Sequence, residues 1–124
     1  MTDREILNLL SIKQFTELQQ SEIMPIILKF GGDCVFCHLT KPLCDEWFER
    51  TPGFIYADIN IETDSELFTA LKFKKMVKNI PTLLFYNNKV KRDSWYIPDD
   101  SVIGGDFNQV RAFFDRCNMT TKKF

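Results

Sequence analysis

Cys34 and Cys37 stand with two residues between them, His38 follows directly, and Cys44 comes seven positions after Cys37, all within FGGDCVFCHLTKPLCDEWF at 30–48. Such a cluster admits three chemistries. A cysteine pair can cycle between dithiol and disulfide, because a thiolate attacks a disulfide sulfur and a neighbouring thiol resolves the product. CVFCH also matches the pattern of covalent haem attachment. Cys34, Cys37 and Cys44, joined by His38 or Cys117, could instead supply four zinc ligands.

The elements around the cluster weigh these readings. PIILKF at 25–30 is a continuous apolar run of strand length, typical of a strand covered on both faces. From Cys34 to about Arg50 the spacing turns helical, with Leu39, Leu43 and Trp47 at every fourth position and Phe48 beside them. The cysteine pair therefore falls where a strand runs into a helix. An i, i+3 pair on a first helical turn has its Cα atoms about 5–6 Å apart, within disulfide reach. The more N-terminal sulfur, that of Cys34, would sit over unpaired N–H groups and the positive end of the helix dipole, which favours the thiolate.

Further along, EILNLL (5–10) predicts a short first strand, and SIKQFTELQQ (11–20) a helix with Ser11 at its N-cap and Gln14 completing a capping box. FIYADINI (54–61) is β-rich, and DSELFTALKF (64–73) reads as a helix with Asp64 near its start. PTLLFY (81–86) is a second apolar strand, and Asn87-Asn88 would turn it into a hairpin with KVKRDSWYI (89–97). GGDFNQVRAFFDRC (104–117) closes the chain as a helix. The order β-α-β-α-β-α-β-β-α predicts an α/β fold. Its central mixed sheet would pair strands in parallel through helical crossovers, add one antiparallel edge, and carry helices on both faces.

That architecture is not the all-helical one usual for attached haem. Zinc sites are usually built from two short-spaced knuckles, and no second CxxC or HxxxH occurs. Cys44, two helical turns from Cys37, would lie about 10 Å from it, awkward for one tetrahedral centre. It reads as a small buried hydrophobe beside Leu43 and Phe48, and Cys117 as a packed residue of the last helix. His38 reads as a surface residue that could modulate the cysteines. Trp47, Phe48 and most of the twelve phenylalanines are assigned to the core.

Composition narrows the class. The 124 residues are 44% hydrophobic and 14% aromatic, which predicts one compact domain over 1–124, with a core at about 5–117 and a short basic tail, TTKKF. The formal net charge of −1, with that tail read as the only local excess, argues against nucleic-acid binding. No run reaches the ~18 apolar residues of a membrane span. The start MTDREILNLL does not look like a signal peptide, so a reducing, cytoplasmic compartment is expected, where cysteines are more often catalytic or metal-bound than structural.

KNIPTLLFY adds a proline at the head of a central buried strand, where it cannot donate to the ladder. Here the chain resembles the thioredoxin family, through LKF before the site, Cys34-Val35-Phe36-Cys37, Pro42 in the following helix, INIET at 59–63 and Ile80-Pro81-Thr82. The resemblance runs over about 5–117. It implies the thioredoxin fold, with a cis-Pro81 facing the dithiol and shaping the substrate groove. It implies a protein-disulfide reductase in which Cys34 attacks and Cys37 resolves. No metal or organic cofactor is implied. The protein would be a monomer taking a disulfide-containing protein as substrate, with electrons from a thioredoxin reductase or from glutathione. Val35, Phe36, Ile80 and Pro81 are the expected substrate-binding residues.

The departures from the family are informative. Val35-Phe36 replaces the usual Gly-Pro, and Asp33 precedes the pair where a tryptophan is usual; its carboxylate would oppose a thiolate on Cys34. Lys29 occupies the place of the family's buried aspartate, and Asp58 that of its partner lysine. The swap implies that Lys29 and Asp58 pair beneath the dithiol and that Asp58 handles the proton of Cys37; solvation of both charges is the alternative. Gly104-Gly105-Asp106 resembles the glutathione-binding joint of glutaredoxins, which leaves a glutathione-dependent reading open beside a plain backbone explanation. A redox-inactive binding module on the same fold is the third reading.

Overall fold

The computed structural model describes residues 11–21, 24–63 and 65–122; the expected strand at 5–10 and Asp64 lie outside them. The elements are α1 (Ile12–Ser21), β1 (Ile26–Gly31), α2 (Val35–Arg50), β2 (Ile55–Asn60), α3 (Glu66–Phe73), β3 (Thr82–Tyr86), β4 (Asp100–Ile103) and α4 (Phe107–Lys122). The four strands form one mixed sheet in the order β2-β1-β3-β4. The capping box at the start of α1 is formed: Gln14 N–H donates to Ser11 Oγ, and Ser11 N–H to Gln14 Oε1, both at 3.1 Å. It satisfies two donors that the first helical turn leaves open.

β1 is buried along its whole length because strands flank it and helices cover both faces. Strand alternation divides its side chains. Ile26, Leu28 and Phe30 join Phe15, Ala57, Ile59, Leu67, Leu71, Leu84 and Tyr86 in the core under α1 and α3. Ile27 points the other way, into Cys44, Trp47, Phe48, Leu83, Phe85, Phe113 and Phe114 under α2 and α4. The Trp47 ring stacks on Phe114, centroids 4.3 Å apart and 10° between planes, which locks α2 to α4. By the same alternation Lys29 lies on the α2 face, directly below the cysteine pair.

Three expectations are corrected. β1 and β2 pair in parallel, but β3 runs antiparallel to β1 rather than parallel. Ile61 just after β2 and Ile80 just before β3 both pack over Gly32 at the same end of the sheet. The excursion between them starts and finishes at that end, so the returning strand must run the other way. Residues 89–97 form a loop, and the edge strand is 100–103. Asp99 draws that loop closed by accepting from Asn87 N–H at 2.6 Å and from Arg92 at 2.5 Å. Its aromatic residues cap the core, Trp95 meeting Phe15 edge-on and the Tyr96 carbonyl accepting from Tyr86 Oη at 2.9 Å. Finally, the buried stripe of α2 is Cys37, Thr40, Cys44, Trp47 and Phe48, while Leu39 is exposed. α4 runs from Phe107 through Lys122.

Candidate active site

The end of β1 and the first turn of α2 build the site. Cys34 is the N-cap of α2 in extended conformation, φ −137° and ψ 155°, and its Sγ accepts the Cys37 N–H at 3.1 Å. The sulfur therefore occupies the place where a capping oxygen satisfies the first turn's open donors, the position where negative charge is best stabilised. Cys34 and Cys37 are joined in a disulfide, with Cα atoms 5.1 Å apart. Cys34 is partly open to solvent and Cys37 is buried, so an incoming molecule meets the first sulfur.

The Ile80–Pro81 peptide bond is cis. The Pro81 carbonyl accepts from Gly104 N–H at 2.9 Å, which fixes the head of β3 against the end of β4. Gly104 has φ +97°, which only glycine adopts freely. A Cβ on Gly105 would stand 2.6 Å from Phe36 Cβ, so the second glycine is what lets the Phe36 ring lie beside this corner. Asp106 caps α4, its Oδ1 accepting from Asn108 N–H at 2.8 Å and Gln109 N–H at 3.2 Å. Backbone and packing demands account for all three residues of this joint. Val35 is 70% and Phe36 58% exposed, and Ile80 is half-buried, while Pro81 itself is buried.

Beneath the disulfide, Lys29 and Asp58 are register partners on β1 and β2, with Nζ 4.0 Å from Oδ2. Lys29 is buried and Asp58 keeps about 29% of its side chain exposed. Both line a cavity of about 300 Å³ together with Gly31, Gly32, Cys37, His38, Lys41 and Asn60. The spot a Cβ on Gly31 would fill is 3.6 Å from Cys37 Sγ and 3.9 Å from Lys29 Cε. A Cβ there would be in ordinary van der Waals contact with the resolving sulfur and the lysine, both of which line the cavity.

Asp33, expected to burden the thiolate, has its own partner: Oδ1 lies 2.8 Å from His38 Nε2, with both side chains exposed. A protonated His38 neutralises that carboxylate. Cys44 is buried against Tyr56; burial, the largest influence, pushes its thiol up to about 11, against the opposing pull of the Lys29 ammonium. Burial likewise raises Cys117 far above the ordinary thiol range. Neither is a nucleophile at neutral pH. Among the described residues no group of three histidine, cysteine or acidic side chains is arranged to hold a metal ion.

The structure thus places Cys37 on one cavity with Lys29 and Asp58, Ile80 over Gly32 two residues before Cys34, and Phe36 and Pro81 at the Gly104–Gly105 corner, with Val35 exposed beside Phe36. Sequence reasoning missed Lys41 and the cavity it helps line; its position one helical turn after Cys37 was the available signal. No family model and no curated protein sequence matches the chain. Solved structures do. Thioredoxin from Trypanosoma brucei brucei is 17% identical with a TM-score of 0.71, over 96% of this chain and 97% of that one. Thioredoxin from Malassezia sympodialis is 16% identical at TM-score 0.69, over 94% of each chain. The Schistosoma mansoni thioredoxin pre-protein in reduced form is 19% identical at 0.66, over 91% and 98%. The chain has the thioredoxin fold. Within that fold its Cys34–Cys37 disulfide stands at the N-terminus of α2.

Proposed function

We propose that the chain is a thiol–disulfide oxidoreductase that reduces protein disulfides. The observation that supports this most is the half-open Cys34 sulfur capping α2, already bonded to a buried Cys37. In the reduced protein the Cys34 thiolate attacks one sulfur of a target disulfide; a mixed disulfide forms and the other target sulfur leaves as a thiolate. Cys37 then gives its proton to Asp58, directly or through water in the shared cavity, and attacks Cys34 Sγ. The Cys34–target bond breaks, the target leaves fully reduced, and the two electrons it gained are those lost in closing Cys34–Cys37. A two-electron donor, a thioredoxin reductase or glutathione, reopens the disulfide. Val35, Phe36 and Ile80 form an apolar rim around the sulfur on which a polypeptide can lie.

The backbone and packing roles of Gly104, Gly105 and Asp106 weaken the glutathione-dependent reading, since they explain that joint without a ligand. The experiment is insulin-disulfide reduction, coupled in turn to a thioredoxin reductase and to glutathione. Turnover with the reductase supports the proposal, turnover with glutathione alone moves it to the glutaredoxin reading, and turnover with neither leaves a binding module.

A further inference from the structure

The run LKFKKMVKN, 71–79, places four lysines within seven residues and no acid among them, a second basic excess besides the one read at the C-terminus. It follows the end of α3. Met76 N–H donates to Leu71 O at 2.9 Å and Lys75 N–H to Lys72 O at 3.0 Å, which ends the helix with Lys75 at φ +64°. The turn throws Phe73 outward, 86% exposed, and leaves Lys72, Lys74, Lys75 and Lys78 on the surface. Lys74 is folded over the Tyr96 ring and Lys72 lies over Phe68. None of the four forms an ion pair among the described residues. The carboxylate of Glu66, on the same helix, is turned to Ile12 N–H at 2.8 Å.

Through Lys72 and Lys78 this patch reaches the site. Lys72 and Lys78 stand over a concavity of about 210 Å³ floored by Ile61, Phe68, Val77 and Ile80. Ile80 precedes cis-Pro81, and its Cδ1 and the Ile61 side chain pack over Gly32, two residues before Cys34. A chain lying on Cys34 and Ile80 therefore passes directly onto the lysines.

We propose that Lys72, Phe73, Lys75 and Lys78, with the concavity leading to Ile80, form a docking surface for an acidic stretch of the target polypeptide next to its disulfide. The proposal rests on the thiol–disulfide reading for its substrate. The apolar floor would take one hydrophobic side chain, and the lysine heads above it the neighbouring carboxylates. Carboxylates are the complement to unpaired ammonium groups, and attraction of this kind acts mainly on encounter rate and on the choice of partner. A nucleic acid fits less well, because the chain as a whole carries a net charge of −1.

The test uses three disulfide-bridged peptides identical except for acidic, neutral or basic flanks, and the triple variant Lys72→Gln, Lys75→Gln, Lys78→Gln. At low salt the acidic peptide should show a kcat/KM about tenfold above the neutral one, shrinking to about twofold or less at 0.5 M NaCl. The variant should lose that advantage and reduce the neutral peptide as the parent does. Equal rates for acidic and neutral peptides, or an advantage that survives in the variant, would overturn the proposal. A cysteine-free acidic peptide, titrated by fluorescence anisotropy, reads the surface without chemistry. If no peptide is reduced, the oxidoreductase reading fails, while binding or its absence in this titration still decides the docking surface. Binding to phosphatidylserine vesicles that Phe73→Ser abolishes, without binding of the acidic peptide, would also overturn it, in favour of a membrane contact.

Discussion

Lys29 and Asp58 offer a quantitative test of how charge is arranged beneath the disulfide. Their 4.0 Å separation corresponds to about 4 kcal/mol of attraction at the effective dielectric usual for partly solvated pairs. Most of this is offset by the cost of taking the ammonium out of water, and Asp58 retains part of its solvation. The useful quantity is therefore the asymmetry between the two single removals. Asp58→Asn leaves a buried ammonium without its carboxylate; the loss would be about 3–5 kcal/mol in a sealed interior, and access to the cavity lowers it to about 2 kcal/mol. Lys29→Met fills the same volume with an apolar chain and leaves a carboxylate that water still reaches, so it should cost less than about 1 kcal/mol. The double variant should match Lys29→Met, giving a coupling of about 2 kcal/mol. Urea unfolding of the oxidised protein measures this: with slopes of about 1–3 kcal/mol per molar, Asp58→Asn should lower the midpoint by about 1 M. Additive single effects, with a coupling under about 0.3 kcal/mol, would refute the pair and leave Lys29 solvated through the cavity.

The pair's part in the reaction is read separately: Asp58→Asn should slow release of the target from the Cys34 mixed disulfide by about a hundredfold at neutral pH, with the loss recovered as pH rises above that of an ordinary thiol. An unchanged rate profile removes Asp58 from proton transfer. Cys44 predicts a stability window: its thiol rises from an ordinary 9.0 to about 11 through burial, so the unfolded chain loses that proton first. Stability from this group is complete below pH 9 and lost as pH climbs to 11, by at most about 3 kcal/mol, and Cys44→Ala should flatten that share of the decline in pH-dependent urea titrations.

Much of the fold was legible because β1 is a continuous apolar run and α1 begins on a matched Ser11–Gln14 pair, local signals with one physical meaning. The Lys29–Asp58 pairing was legible too, since two charges swapped between adjacent strands have few places to go. The direction of β3 was not, because it depends on where the excursion after β2 ends, a matter of contacts at Gly32 between residues far apart in sequence. Trp95 and Tyr96 read as strand by propensity, yet tertiary contacts with Phe15 and Tyr86 hold them in a loop. Leu39 fitted the four-residue spacing, but the stripe of α2 is set by Cys37 and Cys44, one position off. At the site, the cysteines and Pro81 announced themselves by type and spacing. Gly105 did not, because the Phe36 ring it makes room for lies on another element.

The central claim is tested most directly by trapping the first covalent step. Reduced Cys37→Ser protein, incubated with oxidised insulin and analysed by peptide mass spectrometry, should accumulate a mixed disulfide on Cys34, and Cys34→Ser protein should accumulate none on Cys37. A Cys37→Ser protein that forms no adduct, or carries its adduct on Cys44 or Cys117, would contradict the account.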